Sequence, residues 1–179
     1  SRIQGGSDVP LSPLGFRQAA RLSRHFASRA LQAVVSSHLR RSLDTARLIA
    51  QGNGHQLVPH VEPDLAEIHL GAWEGLTPEE VNAAYGDAYT RWRLVPSATR
   101  IPGAEPLEAF QQRVRRARDR WLATLVLRQA QDPSMKDPER SRGTASRDDV
   151  KEAVIVTHGG VISAILADAL QADHDHLLR

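Results

Sequence analysis

Three stretches of the 179-residue chain hold side chains whose types and positions could do chemistry. EAVIVTHGG (152–160) runs a β-branched apolar segment straight into His158 and two glycines. A histidine there stands between the carboxyl end of a strand and the start of a helix. Open α/β sheets bind ligands at that junction, and a helix N-terminus favours an anion. SSHLRRSLDTA (36–46) sets Arg40 and Arg41 in the first turn of a helix that follows a strand. Cations at that end oppose the helix dipole unless an anion offsets them, and a guanidinium fork suits phosphate or carboxylate. LAEIHLGAWEG (65–75) places Glu67 in a loop with Gly71, Trp73 and Gly75. A carboxyl group in such a tight, partly apolar loop can serve as a general acid. Taken singly, each has a plain structural reading: a turn-capping histidine, a solvated arginine pair, a surface glutamate. Taken together they make a phosphate-handling set that neutralises charge, positions a group and donates a proton.

The elements that must position these residues follow from periodicity. Ser12-Pro13 is a capped helix start, and Phe16, Ala19, Leu22 and Phe26 then recur at helical spacing over residues 13 to about 29. LQAVVSS (31–37) suits a buried strand, and residues 39–54 a helix with Leu39, Leu43, Ala46 and Ile49/Ala50 on one face. Residues 56–63 read as an edge strand because Pro59 lacks a ladder donor. Residues 77–94 read as one or two helices broken near Gly86. Leu107, Phe110, Val114, Ala117, Trp121 and Leu125 mark a long amphipathic helix with an arginine-rich solvent face. Residues 131–152 are polar and aperiodic, and a flexible surface insertion is expected there. The apolar run before His158 reads as a buried strand, and residues 161–172 as a helix hugging it. This alternation predicts an α/β fold with parallel strands.

Composition excludes other classes. Lys+Arg 23 against Asp+Glu 21 gives a formal charge of +2, and no basic run interleaves with aromatics, so no nucleic-acid partner is expected. The absence of cysteine rules out disulfides, thiolate metal sites and cysteine nucleophiles, and fits the cytoplasm. No apolar run approaches the roughly 18 residues that span a bilayer, so no membrane partner is expected. One domain over residues 1–179 is the expectation; oligomeric state is left open.

The motifs resemble, in order along the chain, those of the histidine phosphatase superfamily, also called phosphoglycerate-mutase-like. RIQGGSDVPLSPLGFRQA is similar to R-x-x-G-x-x-D-x-x-L-[ST]-x-x-G-x-x-Q-A, SSHLRRSLDTA to S-x-L-x-R-[AS]-x-x-T-A, and LAEIHLGAWEG to L-x-E-x-x-x-G-x-W-E-G. PGAEP resembles P-G-G-E-S with Ala104 and Pro106 as departures, and VIVTHGGVISAIL resembles a strand-H-G-helix segment. The resemblance implies a three-layer sandwich whose mostly parallel central sheet is flanked by helices. It maps the phosphate-gripping arginine onto Arg41 rather than Arg40, the proton-donating carboxylate onto Glu67, and the second active-site histidine onto His158. Gly159 becomes a backbone contact, and Gln4 and Gly5 line the substrate pocket. It further implies hydrolysis of a small phosphorylated substrate through a phosphohistidine, with no cofactor and no metal.

In the family the nucleophilic histidine stands in an R-H-G triplet after the first strand, and that triplet occurs nowhere in these 179 residues. His25 lies inside the first helix, and family position gives His38 no nucleophilic role. The expectation is a phosphatase domain lacking its first strand and its nucleophile, and possibly its C-terminal strands. As written, it should be poorly stable and turn over little or no p-nitrophenyl phosphate. Two other readings are phosphoglycerate-mutase-type transfer and a non-catalytic phosphoester-binding module. The G-A-W-E-G form and the short spacing to the long helix favour phosphatase over mutase, with Arg91 and Arg93 as weak candidates for a second acidic group. Retention of Glu67 favours chemistry over binding alone. The run Asp173-His174-Asp175-His176 reads as a frayed tail rather than a metal site, since neighbours one apart on a helix do not face a common ion.

Overall fold

A computed structural model describes residues 1–54, 57–131 and 152–172. In chain order the elements are α1 (Pro13–Phe26), β1 (Leu31–Ser36), α2 (Arg40–Gly52), β2 (His60–Val61), α3 (Pro78–Tyr85), α4 (Ala88–Leu94), α5 (Leu107–Gln131), β3 (Glu152–Val156) and α6 (Gly159–Ala169). The expected insertion at 131–152 lies, but for its two end residues, outside the described residues, as does the Asp173–His176 run.

The three strands form one parallel sheet in the order β2-β1-β3. Alternation along the central strand separates two cores, because successive strand side chains point to opposite faces. Val34 packs with Ala46, Ile49 and Ala50 of α2, joined by Val154 and Val156 of β3. Val35 enters the other core with Leu65, Trp73, Phe110, Val114 and Val161. Helices therefore cover the sheet on both sides, giving a three-layer α/β arrangement.

Several expectations hold with changed detail. Ser12 caps α1 by accepting the Gly15 N–H, and Pro13 opens the helix. The buried side of α1 is Ala19 and Ser23, however, while Phe16 and Leu22 are exposed. Ser23 Oγ donates to Leu48 O at 2.6 Å, and a Cβ on Gly52 would come within 2.1 Å of that oxygen. The two helices thus approach closely through small residues, which turns the large ones outward. β2 is indeed an edge strand but pairs over only two residues, between Pro59 and the 3₁₀ turn that begins at Pro63. The one or two helices expected over 77–94, broken near Gly86, are two, α3 and α4, with Gly86 at a positive φ of 58° closing the first.

β3 was expected to be buried and is not. It pairs with β1 on one side, and among the described residues no strand pairs with the other, leaving Ile155 37% exposed. The helix after it begins at Gly159 and packs against α5 through Val161 and Ala164 rather than hugging the strand. Asp168 strengthens that contact by pairing with Arg115 (3.1 Å) and Arg118 of α5. No helix among the described residues is long and apolar enough to cross a membrane.

Candidate active site

At the carboxyl ends of β1 and β3 lies a cavity of about 620 Å³. Arg41, Glu67, His158, Gln4, Gly5 and Gly159 all line it. Arg40 does not; of the arginine pair left open by the sequence, Arg41 turns inward and Arg40 is exposed. Neither His25 nor His38 is among the lining residues.

Each inward side chain is held by named partners. Arg41 donates from Nη1 to Ser7 O (2.7 Å) and from Nη2 to Gly5 O (2.8 Å). Asp8 Oδ1 accepts the Arg40 N–H at 2.6 Å, supplying the anion that the α2 N-terminus needs to tolerate two arginines. Glu67 accepts the N–H of Ile68 at Oε1 (3.0 Å) and that of Gly160 at Oε2 (3.1 Å), which ties its carboxyl group to the start of α6. A Cβ on Gly160 would stand 2.5 Å from Glu67 Oε1, so this approach needs glycine there. His158, 8% exposed, has Nε2 2.6 Å from Ser37 Oγ.

The electrostatics follow from crowding three charge-bearing groups. Burial, with Arg41, His38 and Arg113 adding to it, lowers the His158 pKa to about 4, so the ring is neutral near pH 7. Burial pushes the Arg41 guanidinium below its ordinary value, against opposing pulls from Glu67, Asp8 and Glu74. A phosphoryl dianion entering the cavity would meet a fixed cation, an imidazole and the first turn of a helix.

Residues that the sequence did not single out hold this arrangement together. Glu74 accepts from Gly6 N (2.8 Å), Leu70 N (2.8 Å), His69 Nδ1 (2.7 Å) and Ser7 Oγ, clamping the opening loop onto the Glu67 loop. Burial raises its pKa, but the bonds from Ser7, Leu70, Gly6 and His69 outweigh that and hold it below the ordinary carboxylate value. Gly5, at φ +51°, lets the backbone pass where a Cβ would lie 2.5 Å from Glu74 Oε1. The arginine-rich face of α5 is expected to meet solvent, but Arg113 on it is half-buried. It forks onto Glu105 (2.6 and 2.8 Å) and donates to the carbonyls of Asp64, Ala66 and Glu67 (2.8, 2.8 and 3.2 Å). Its position between Phe110 and Val114, at the flank of the apolar stripe, is the signal that could have shown it as half-buried. The W-E-G motif itself could have pointed to Glu74. On the far wall Tyr89, Trp92 and Arg93 of α4 complete the lining, and Trp92 meets Trp73 edge-on at 6.1 Å.

Comparison with known proteins identifies the family of the chain. Residues 1–126 match the model of the histidine phosphatase superfamily, branch 1. Glucosyl-3-phosphoglycerate phosphatase of Mycobacterium tuberculosis is 34% identical over 172 residues, 96% of this chain and 69% of its own. The enzyme of the same name from Mycolicibacterium vanbaalenii is 35% identical over 170 residues, 95% of this chain and 67% of its own. The solved complex of mycobacterial glucosyl-3-phosphoglycerate phosphatase with inorganic phosphate superposes with a TM-score of 0.75 at 32% identity, covering 99% of this chain and 77% of that one.

Proposed function

The chain belongs to the histidine phosphatase superfamily, and on that footing we propose that its cavity binds and works on small phosphomonoesters. The observation that carries the reading is the convergence of Arg41, His158 and Glu67 on one cavity at the carboxyl ends of parallel strands. Arg41 pairs with the phosphoryl oxygens through the N–H groups that Gly5 and Ser7 leave free. His158 and the amide of Gly159 complete the grip. Glu67, in its protonated form, gives its proton to the leaving alcohol oxygen as the P–O bond breaks. The phosphoryl group passes to the imidazole nucleophile that the family resemblance implies, and from there to water. None of these 179 residues stands in the R-H-G triplet, so the attacking step is assigned to no residue described here.

The wall of α4 bears on the leaving group. Tyr89 and Trp92 offer apolar ring faces, and Arg93 lines the cavity with them. This lining suits an organic alcohol that carries an anionic group, as the glucosyl-3-phosphoglycerate named for the mycobacterial relatives does.

The test compares leaving groups in a polypeptide that carries the R-H-G triplet together with these residues. Glu67→Gln should slow phosphate release from an alkyl ester by about 10²–10⁴-fold. It should slow p-nitrophenyl phosphate far less, because nitrophenolate departs without a proton. Equal losses for both esters would remove Glu67 from the proton-donating role.

A further inference from the structure

Among the described residues the ring of His158 has one nitrogen committed and one without a partner, and the commitment has a direction. Ser37 is fully buried just before α2, with Oγ 2.6 Å from His158 Nε2, and that same oxygen accepts the Leu39 N–H at 3.3 Å. A hydroxyl has one proton and two lone pairs, and a neutral imidazole has one N–H and one acceptor nitrogen. If Nε2 carried the proton, Ser37 Oγ would accept twice and its own buried O–H would have no acceptor among the described residues. Leaving a buried donor unmade is costly. If instead the hydroxyl donates to Nε2, each of these groups is used once and the imidazole proton sits on Nδ1.

We propose that Ser37 is a positioning residue that holds His158 as the Nδ1–H tautomer, so that the neutral ring still offers a donor to a phosphoryl oxygen. This rests on the reading of His158 as a ligand of the phosphoryl group. Nδ1 has no partner among the described residues, and His158 lines the cavity. The tautomer matters here because burial, Arg41, His38 and Arg113 keep the ring uncharged near neutrality. A neutral ring in the other tautomer would turn a lone pair toward the anion and repel it. Ser37 therefore decides whether His158 attracts or repels, without touching the substrate.

The experiment is a long-range ¹H–¹⁵N correlation on the ¹⁵N-histidine-labelled chain at pH 7, with His158 assigned by loss of its signals in His158→Gln. The wild type should show Nδ1 at a protonated shift and Nε2 at an unprotonated one. Ser37→Ala should move the ring toward the Nε2–H form and weaken orthophosphate binding by about 3–10-fold, the scale of one neutral hydrogen bond. An Nε2–H ring in the wild type overturns the proposal even if Ser37→Ala fails to fold. A tautomer unmoved by Ser37→Ala overturns it as well, as does a shifted tautomer with unchanged orthophosphate affinity. A wild type with the Nδ1–H ring that binds no orthophosphate would instead overturn the phosphoryl-site reading and leave the tautomer assignment standing.

Discussion

Arg41 is held from behind by two carbonyl oxygens, so its guanidinium reaches the cavity with further N–H groups unspent. Its charge also acts on His158, whose pKa burial first, then Arg41, His38 and Arg113, bring down to about 4. Two outcomes follow at this scale. Arg41→Ala should raise the His158 pKa from about 4 toward 6.5, read by NMR titration of the ring; an unchanged pKa would mean that the two groups do not share one field. The second outcome concerns stability. Between pH 6.5 and about 4 the unfolded histidine binds a proton that the folded one refuses, so stability should fall as pH drops through that window and level off below it. His158→Gln should flatten that part of the denaturation curve. Arg41, Glu67 and His158 each have a plain structural reading alone; they do line one cavity, but were legible in sequence only as a set at element junctions. Ser37, Glu74 and Arg113 were not, since their work is to hold other groups, and a holding role depends on distances that spacing alone does not give.

Loops at the element ends differ in what surrounds them, and glycine substitutions read this out. Gly71 has φ +51°, and a Cβ there would lie 2.3 Å from Pro102 O, which is backbone and cannot swing away. Gly71→Ala should cost about 2–4 kcal/mol of stability in a denaturant melt. Gly160→Ala meets the end of the Glu67 side chain instead. It should change stability by no more than about 1 kcal/mol, leave orthophosphate affinity intact and displace the carboxyl group from its place. Arg113→Met removes the fork on Glu105 and the donors to the Glu67 loop, and should cost roughly 2–4 kcal/mol. Helix and strand positions were readable because periodicity reports which side is apolar. The depth of each side was less so: Phe16 and Leu22 fit the helical stripe of α1, yet Ala19 and Ser23 make the close contact because only small side chains let α2 come so near.

For the molecule as a whole, the side of β3 that no strand pairs with among the described residues is the main departure from a well-covered sheet. Ile155 is 37% exposed on a strand edge that no other strand pairs with among the described residues, and Ile162 and Leu166 of α6 are 49% and 47% exposed. Unpaired edges with apolar neighbours template association. The 179-residue chain should therefore self-associate with rising concentration, seen as an increasing weight-average mass in sedimentation; a concentration-independent monomer would show that this surface is covered. The α/β class and the parallel strands could be read from alternating patterns, whereas the exposure of β3 could not, because an apolar run reads as buried whether or not a neighbour pairs with it. Arg41, Glu67 and His158 line one cavity, which we propose is a single phosphoryl site. Calorimetric titration of the chain with orthophosphate, wild type against Arg41→Ala, tests it directly. The predicted result is saturable one-site binding that Arg41→Ala weakens by at least about tenfold, the scale of a charge-assisted hydrogen bond. Absence of binding, or binding indifferent to Arg41, would contradict it.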